Sequence, residues 1–231
     1  MLQKKEGAKL DFKRKLPKIY HKDDEFRQQQ IDEFIKDILS ISNGNAYTVD
    51  EVGYIIYGAK ESFDANGIRK LCDVGDRIPS ERQVLDWVNS ACDIPLTDIN
   101  CDLVPVEQKR LFVISIPPNP HLRETVRQLH TPSQTFSQHV SLIRHNESIY
   151  PASKKEREVI RDEKERYFES LKQIPTKVLG AAVGFVISGI FYGPNTDRLG
   201  LEGPMAVIGT IISLFLGAFT GWFLGKFADE F

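Results

Sequence analysis

Glu6, Asp11 and Lys13 stand at the front of the stretch EGAKLDFKRKL, residues 6–16, as an acid, four spacers, a second acid, one spacer and a lysine. Two carboxylates beside a lysine can hold a divalent ion that polarises a phosphodiester and activates water, with the ammonium balancing charge in the transition state. The same residues equally suit the solvated, charged edge of a strand. Their spacing sets a condition on the first reading. Residues five apart on a regular strand face opposite sides, so both acids reach one site only if a bulge intervenes or the strand starts after Glu6.

The surroundings of this cluster are basic. The chain as a whole has a formal net charge of −2, yet residues 1–22 carry eight lysines and arginines against two acids. Such a block attracts phosphate backbones or anionic headgroups over about 8 Å at physiological salt. Lys9, Lys13, Arg14, Lys15 and Lys18 are its candidate phosphate contacts. Arg144, which closes an apolar segment and is followed by His145-Asn146, is a further candidate; the alternative for it is a salt bridge with Asp11 or Glu147.

Other chemistries lack their residues. Cys72, Cys92 and Cys101 are odd in number and without C-x2-C spacing, which fits a reducing compartment better than a disulfide framework or a structural zinc site. The five histidines form no H-E-x-x-H pattern, and neither G-x-S-x-G nor a Walker-type glycine loop is present. The lysine-rich start has no apolar run behind it and predicts no signal peptide.

The elements that must position the charged cluster alternate in type. AKLDFK alternates as a strand. RQQQIDEFIKDILSISN puts Ile31, Phe34, Ile35, Ile38 and Leu39 on one helix face and stops at Asn43-Gly44. VGYIIYGA reads as a buried strand. SERQVLDWVNSAC reads as a helix with a Ser80/Gln83 capping box that buries Val84, Leu85, Trp87 and Val88. DLVPVE and RLFVISIP suggest an antiparallel hairpin around Gln108-Lys109, and HVSLIRH a last strand. The sum is an α+β domain over residues 1–151 with a mixed sheet and flanking helices.

Beyond it the composition changes. Residues 152–176 are rich in helix formers, with Asp162 and Arg166 at i,i+4, and predict a charged stalk helix. Residues 177–227 then read as a transmembrane helical hairpin, with apolar runs over 177–193 and 205–227 around a polar break. At 1.5 Å per residue the second run spans roughly 30 Å and the first roughly 24 Å, so Lys177 must snorkel or the bilayer thin. Lys172, Lys177 and Lys226 flank the shared end of the hairpin, which places the amino-terminal domain and the carboxy terminus on the cytoplasmic side. Gly180, Gly184 and Ser188 in the first run, and Gly209, Ser213, Gly217, Gly221 and Gly225 in the second, follow a four-residue spacing that lets membrane helices approach closely. The stripe suits packing within one hairpin or a homo-oligomer. Either way the lipid bilayer is an expected partner.

Taken in order, EGAKLDFK, IDEFIKDILSISNGN, GYIIYGAKES, LFVISIPPNP and VSLIRHNESIYPAS resemble the Schlafen AlbA-type domain, a nucleic-acid-binding module, over about residues 5–155. Two features depart from that pattern. SNGNAYTVDEVGY is longer than the family's compact N-T-x-G-G turn, and Lys60-Glu61 stand where the family has an aspartate pair. The resemblance implies DNA or RNA as partner. In animal Schlafens a related core is a metal-dependent endoribonuclease with three carboxylates, which map onto Glu6, Asp11 and Glu61, with Lys13 beside them. A nuclease of this type implies Mg2+ or Mn2+ as cofactor, or else the domain only binds, and a third alternative makes it the sensor of an oligomeric membrane effector.

Overall fold

The computed structural model describes residues 2 and 4–172, apart from the side chain of Glu61. Strand β1 (Leu10–Lys13) runs parallel to β2 (Gly53–Tyr57), and helix α1 (Asp24–Asn43) provides the crossover that a parallel pair requires. A hairpin of β3 (Ala59–Phe63) and β4 (Arg69–Leu71) follows, then helix α2 (Glu81–Asn89). The long antiparallel pair β5 (Asn100–Val106) and β6 (Lys109–Ile116) completes the main sheet in the order β1-β2-β6-β5. Two short pairs close the domain: β7 (Leu129–His130) with β8 (Thr135–Phe136), and β9 (Leu142–His145) with β10 (Ser148–Pro151). The sheet is mixed and flanked by helices, the expected α+β class.

Helix α1 is the spine. Asp23 caps it by accepting the Phe26 N–H, and Asp24 and Glu25 in the first turn suit the positive end of the helix dipole. Ile31, Phe34, Ile35, Ile38 and Leu39 are buried against Ile55, Tyr57, Phe112, Ile114 and Ile116 of the sheet. Each such side chain stabilises the fold by about 1.5–3 kcal/mol when fully buried. The opposite sheet face has its own cluster of Phe12, Ile56, Ala59 and Leu111, where the Arg69 guanidinium lies 4.2 Å from the Phe12 ring.

The far end of α1 shows why the chain turns at Asn43-Gly44. Gly44 has φ +62°, a left-handed conformation that favours glycine, and its N–H closes on the Ser40 carbonyl. Asn43 is fully buried and ties distant segments together: its Nδ2 donates to the Arg123 and Leu142 carbonyls, and its Oδ1 accepts the Arg123 N–H. Gly53 permits the close approach of β2, since a Cβ there would lie 2.3 Å from Cγ2 of Ile41.

Helix α2 begins with the expected capping box and buries Val84 and Val88, with Leu85 and Trp87 packed against the core. The β5-β6 turn falls at Glu107-Gln108, one residue before the expected place. Five strands, β3, β4, β7, β8 and β10, come in addition to the expected elements. The β3-β4 hairpin turns at Asp64-Ala-Asn-Gly67, where the Asp64 carboxylate accepts the N–H groups of Asn66 and Ile68. Its Asn-Gly pair is a strong hairpin signal, but the flanking strands are charged and lack an alternating apolar pattern. The segment HVSLIRH is likewise not the last strand, because β10 pairs back on β9 through a turn with Asn146 at φ 54°.

The chain divides into two units, residues 1–165 and 166–231. In the first, residues 154–165 are helical; in the second, 166–172 are helical. The end of the expected stalk helix and the whole expected hairpin, with its glycine stripes, lie outside the described residues. Among the described residues no helix is long and apolar enough to cross a membrane.

Candidate nucleic-acid interface

The spacing condition on Glu6 and Asp11 is met by the second of its two routes. Gly7 and Leu10 exchange backbone hydrogen bonds of 3.0 and 3.3 Å, so a tight turn precedes β1 and the strand starts after Glu6. The turn folds Glu6 back along the sheet edge, where its Oε1 accepts the Phe12 N–H at 3.0 Å. A side chain here takes the part of a neighbouring strand's carbonyl. Asp11 and Lys13 alternate with Phe12 and therefore share the sheet face that α1 covers.

Arg144 joins the two acids. Carried in by β9, it is 2% exposed; its Nη2 donates to Asp11 Oδ1 at 2.7 Å and lies 3.5 Å from Glu6 Oε2, while its Nε donates to the Asn146 carbonyl. Of the two readings offered for Arg144, the ion pair with Asp11 is the one formed. It is not the freely exposed phosphate contact that the other reading required, because burial beside two carboxylates commits most of its donors. Its Nη1 alone is buried with no hydrogen-bond partner among the described residues.

Lys13 links this group to the interior of α1. Its ammonium lies 3.1 Å from Asp11 Oδ2 and 3.4 Å from Asp37 Oδ2 while 30% of its side chain remains exposed. Lys36 then pairs with Asp37 and Glu33. Burial opposes the Lys13 charge, but Asp37 and then Asp11 outweigh it and hold its pKa above the usual lysine value. Asp37 behaves otherwise. Complete burial pushes its carboxyl up to about 6, with Lys13 pulling the other way and Asp11 adding to the rise. The one ion pair keeps Lys13 charged without keeping Asp37 fully so, since only Lys13 reaches water. Burial, and then the Asp11 charge, also raise Glu6, against the Phe12 N–H and Arg144. Asp37 and the buried Tyr57, whose hydroxyl has no partner among the described residues, escaped the sequence reading. The available signal was an acid on the same helix stripe as Phe34 and Ile41.

Around this network lies a cleft of about 590 Å³ lined by Lys13, Arg14, Lys60, Ser62 and Arg144 together with Glu6, Asp11 and Glu147. Arg14, Lys15 and Lys18 are exposed, as are Lys4, Lys5 and Lys22. Lys9 is not, a correction to its place among the phosphate contacts. It is 5% exposed and its ammonium donates to the Ile41 and Ser42 carbonyls at 2.9 and 3.4 Å. The physical reason is the end of α1, whose last turn has no basic residue of its own and leaves carbonyls to be satisfied from elsewhere.

A divalent ion does not fit the acids as they stand. Glu6 Oε1 is bonded to an amide, Glu6 Oε2 and Asp11 Oδ1 face Arg144, and Asp11 Oδ2 is ion-paired with Lys13. The described residues contain no group of three metal-ligating side chains, and the Glu61 side chain lies outside them.

A family model described as Schlafen, AlbA_2 matches residues 6–153, more than half of the chain. No curated protein matches it. Among solved structures, the chain is similar to the DIP2311 protein from Corynebacterium diphtheriae, with 13% identity, a TM-score of 0.37, and coverage of 63% of this chain and 26% of that one. It is also similar to the N-terminal domain of an ATP-dependent DNA helicase RecG-related protein from Nitrosomonas europaea, with 16% identity, a TM-score of 0.33, and coverage of 48% of this chain and 64% of that one. The chain thus spans about a quarter of the first of these structures and under two thirds of the second.

Proposed function

The chain belongs to the Schlafen AlbA_2 family, and we propose that its folded domain binds nucleic acid by phosphate contacts along the basic cleft and the exposed lysines and arginine of its amino-terminal segment. One observation carries this reading: Arg14 and Lys60 line an open cleft in which two of the three acids, Glu6 and Asp11, are already engaged by Arg144, Lys13 and an amide, and Glu147 is the third. The two engaged acids are compensated inside, so at the cleft mouth Arg14 and Lys60, with the exposed Lys4, Lys5, Lys15, Lys18 and Lys22 nearby in sequence, outnumber the exposed Glu147. Phosphate binding through such cations releases counterions, and log affinity falls against log salt with a slope of about −0.9 per neutralised phosphate on duplex DNA or −0.7 on single strands. For the purified protein, binding to a labelled oligonucleotide between 50 and 200 mM salt, on the order of the range where such slopes are read, falls steeply. The double variant Arg14→Glu, Lys15→Glu flattens the slope by about two contacts. An affinity that stays constant across this range sinks the proposal.

We further propose that residues 177–227 anchor the domain to a bilayer, with both ends of the hairpin on the cytoplasmic side. What supports this is the sequence: two apolar runs around a polar break, and lysines at the shared end. In expressing cells the protein is expected to stay in the membrane pellet through an alkaline carbonate wash, while a chain ending at residue 176 is released. Release of the full chain by the wash would refute the anchor.

A further inference from the structure

Beside the charged cleft lies a second cavity of different character. It measures about 310 Å³ and is bounded by the loop after α1, the β9-β10 hairpin and the helix that starts at residue 154, which puts it at the lower end of the range for small-ligand sites, about 300–1,000 Å³. Its floor is apolar, made of Ile143 and Ile160, which belong to a small cluster with Leu122 that is separate from the main core. Its sides carry two aromatic rings. Tyr150 is held in place by the hydrogen bond from its hydroxyl to Glu156, and Tyr47 is 91% exposed. The Asn45 side chain accepts the Tyr47 backbone N–H at 2.9 Å, which sets the main chain at the cavity rim and leaves the ring open to solvent.

Three observations identify the occupant. Arg144 lines both this cavity and the charged cleft, so the two are neighbours across one guanidinium, the one whose Nη1 lacks a partner among the described residues. An apolar floor beside one anchored ring, Tyr150, and one exposed ring, Tyr47, suits an unstacked base, whose flat face stacks regardless of sequence. Finally, Asn45, Ala46 and Tyr47, in the loop directly after α1, form one wall of the cavity opposite the helix residues Val159 and Ile160. We infer that this cavity takes one unstacked nucleobase of a single strand whose adjoining phosphate lies in the neighbouring cleft lined by Arg14 and Lys60. The inference rests on the nucleic-acid-binding reading above and adds a strand type and a stacking residue to it.

The experiment uses the full chain, kept in detergent, with two labelled twelve-residue strands: one of thymidines and one of the same length with abasic sugars throughout. Each stacked base is worth roughly 5- to 150-fold in affinity by alanine substitution, so the thymidine strand binds more tightly than the abasic one by a factor in that range. Tyr47→Ala brings the thymidine strand down to the abasic level and leaves abasic binding unchanged; Tyr47 is exposed, so its loss does not disturb the fold. Val159→Asp, which sets a carboxylate on the cavity wall, produces the same loss. Equal, salt-dependent binding of both strands by the parent protein would overturn the base site and leave the phosphate reading standing. A preference for thymidine that survives Tyr47→Ala would also overturn it, and binding of neither strand would remove both.

Discussion

Replacing Arg144 by methionine lowers the stability of the folded domain by about 3–5 kcal/mol, the cost of stranding buried charge once its partner is removed. The magnitude follows from where the charges lie. Arg144 is 2% and Asp11 1% exposed, and Glu6 Oε2 looks toward the same guanidinium nitrogen, so water cannot replace the lost donor. An exposed pair would be worth no more than about 1 kcal/mol. The urea midpoint followed by Trp87 fluorescence measures the loss, Trp87 packing edge-on to Phe34 in the core. Adding Asp11→Asn to Arg144→Met removes the stranded charge and restores part of the stability, an interaction that a double-mutant cycle reads directly. A loss of under 1 kcal/mol, or strict additivity of the two changes, would show that the pair is not the electrostatic core of this site.

Raising the pH from 7 to 9 stabilises the protein, by on the order of 2–3 kcal/mol. The cause is a gathering of cations at the carboxy-terminal end of α1. Lys9 and Lys164 both donate to the Ser42 carbonyl, Lys164 also to that of Asn119, and Arg123 donates to the Ser42 hydroxyl. The carbonyls gain donors and the helix dipole gains positive charge, but three cations now share one buried place. Burial first, and then the charges of Lys9 and Arg123, pull Lys164 down to about 7; burial, with Arg123 adding to it and Glu51 opposing, pulls Lys9 down to about 8. Both folded values lie below the ordinary 10.5 of an unfolded chain. Between them the unfolded state binds more protons, so stability rises with pH, is complete above the unfolded value and is lost as pH falls through 8 and then 7. Lys164→Met removes more than half of the rise, because Lys164 has the lower pKa of the two. Unfolding free energies at pH 7, 8 and 9 test this, and a curve that is flat or falling for the parent protein would refute it. Asp37 acts at the other end of the scale: its raised pKa of about 6 gives stability that is present below the unfolded 3.8 and lost as pH rises through about 6.

Local patterns were enough for the class of the fold. The apolar stripe of α1, the Ser80/Gln83 box, the Asn43-Gly44 stop and the pairing of β5 with β6 all depend on neighbours within a turn or a hairpin, and those are written in consecutive residues. The parallel placement of β1 beside β2 follows from the helix between them. The candidate site was half legible. The spacing of Glu6 and Asp11 stated a condition, and the turn at Gly7 met it.

What spacing could not convey was the charge carried in from 133 residues away. Asp11 and Arg144 are separated by that distance in sequence, and only the packing of β9 over α1 decides that the arginine spends its donors on the acids instead of on a phosphate. The same holds for Lys9. It counts as one of eight bases in a basic segment, yet the unsatisfied carbonyls at the end of α1 draw it inside, and a buried donor with two acceptors is no longer part of the surface field. Composition thus determined that this end of the protein is basic. Tertiary structure decided which cations remain outside, because a buried carbonyl or carboxylate must find a donor wherever in the chain one can be brought to it.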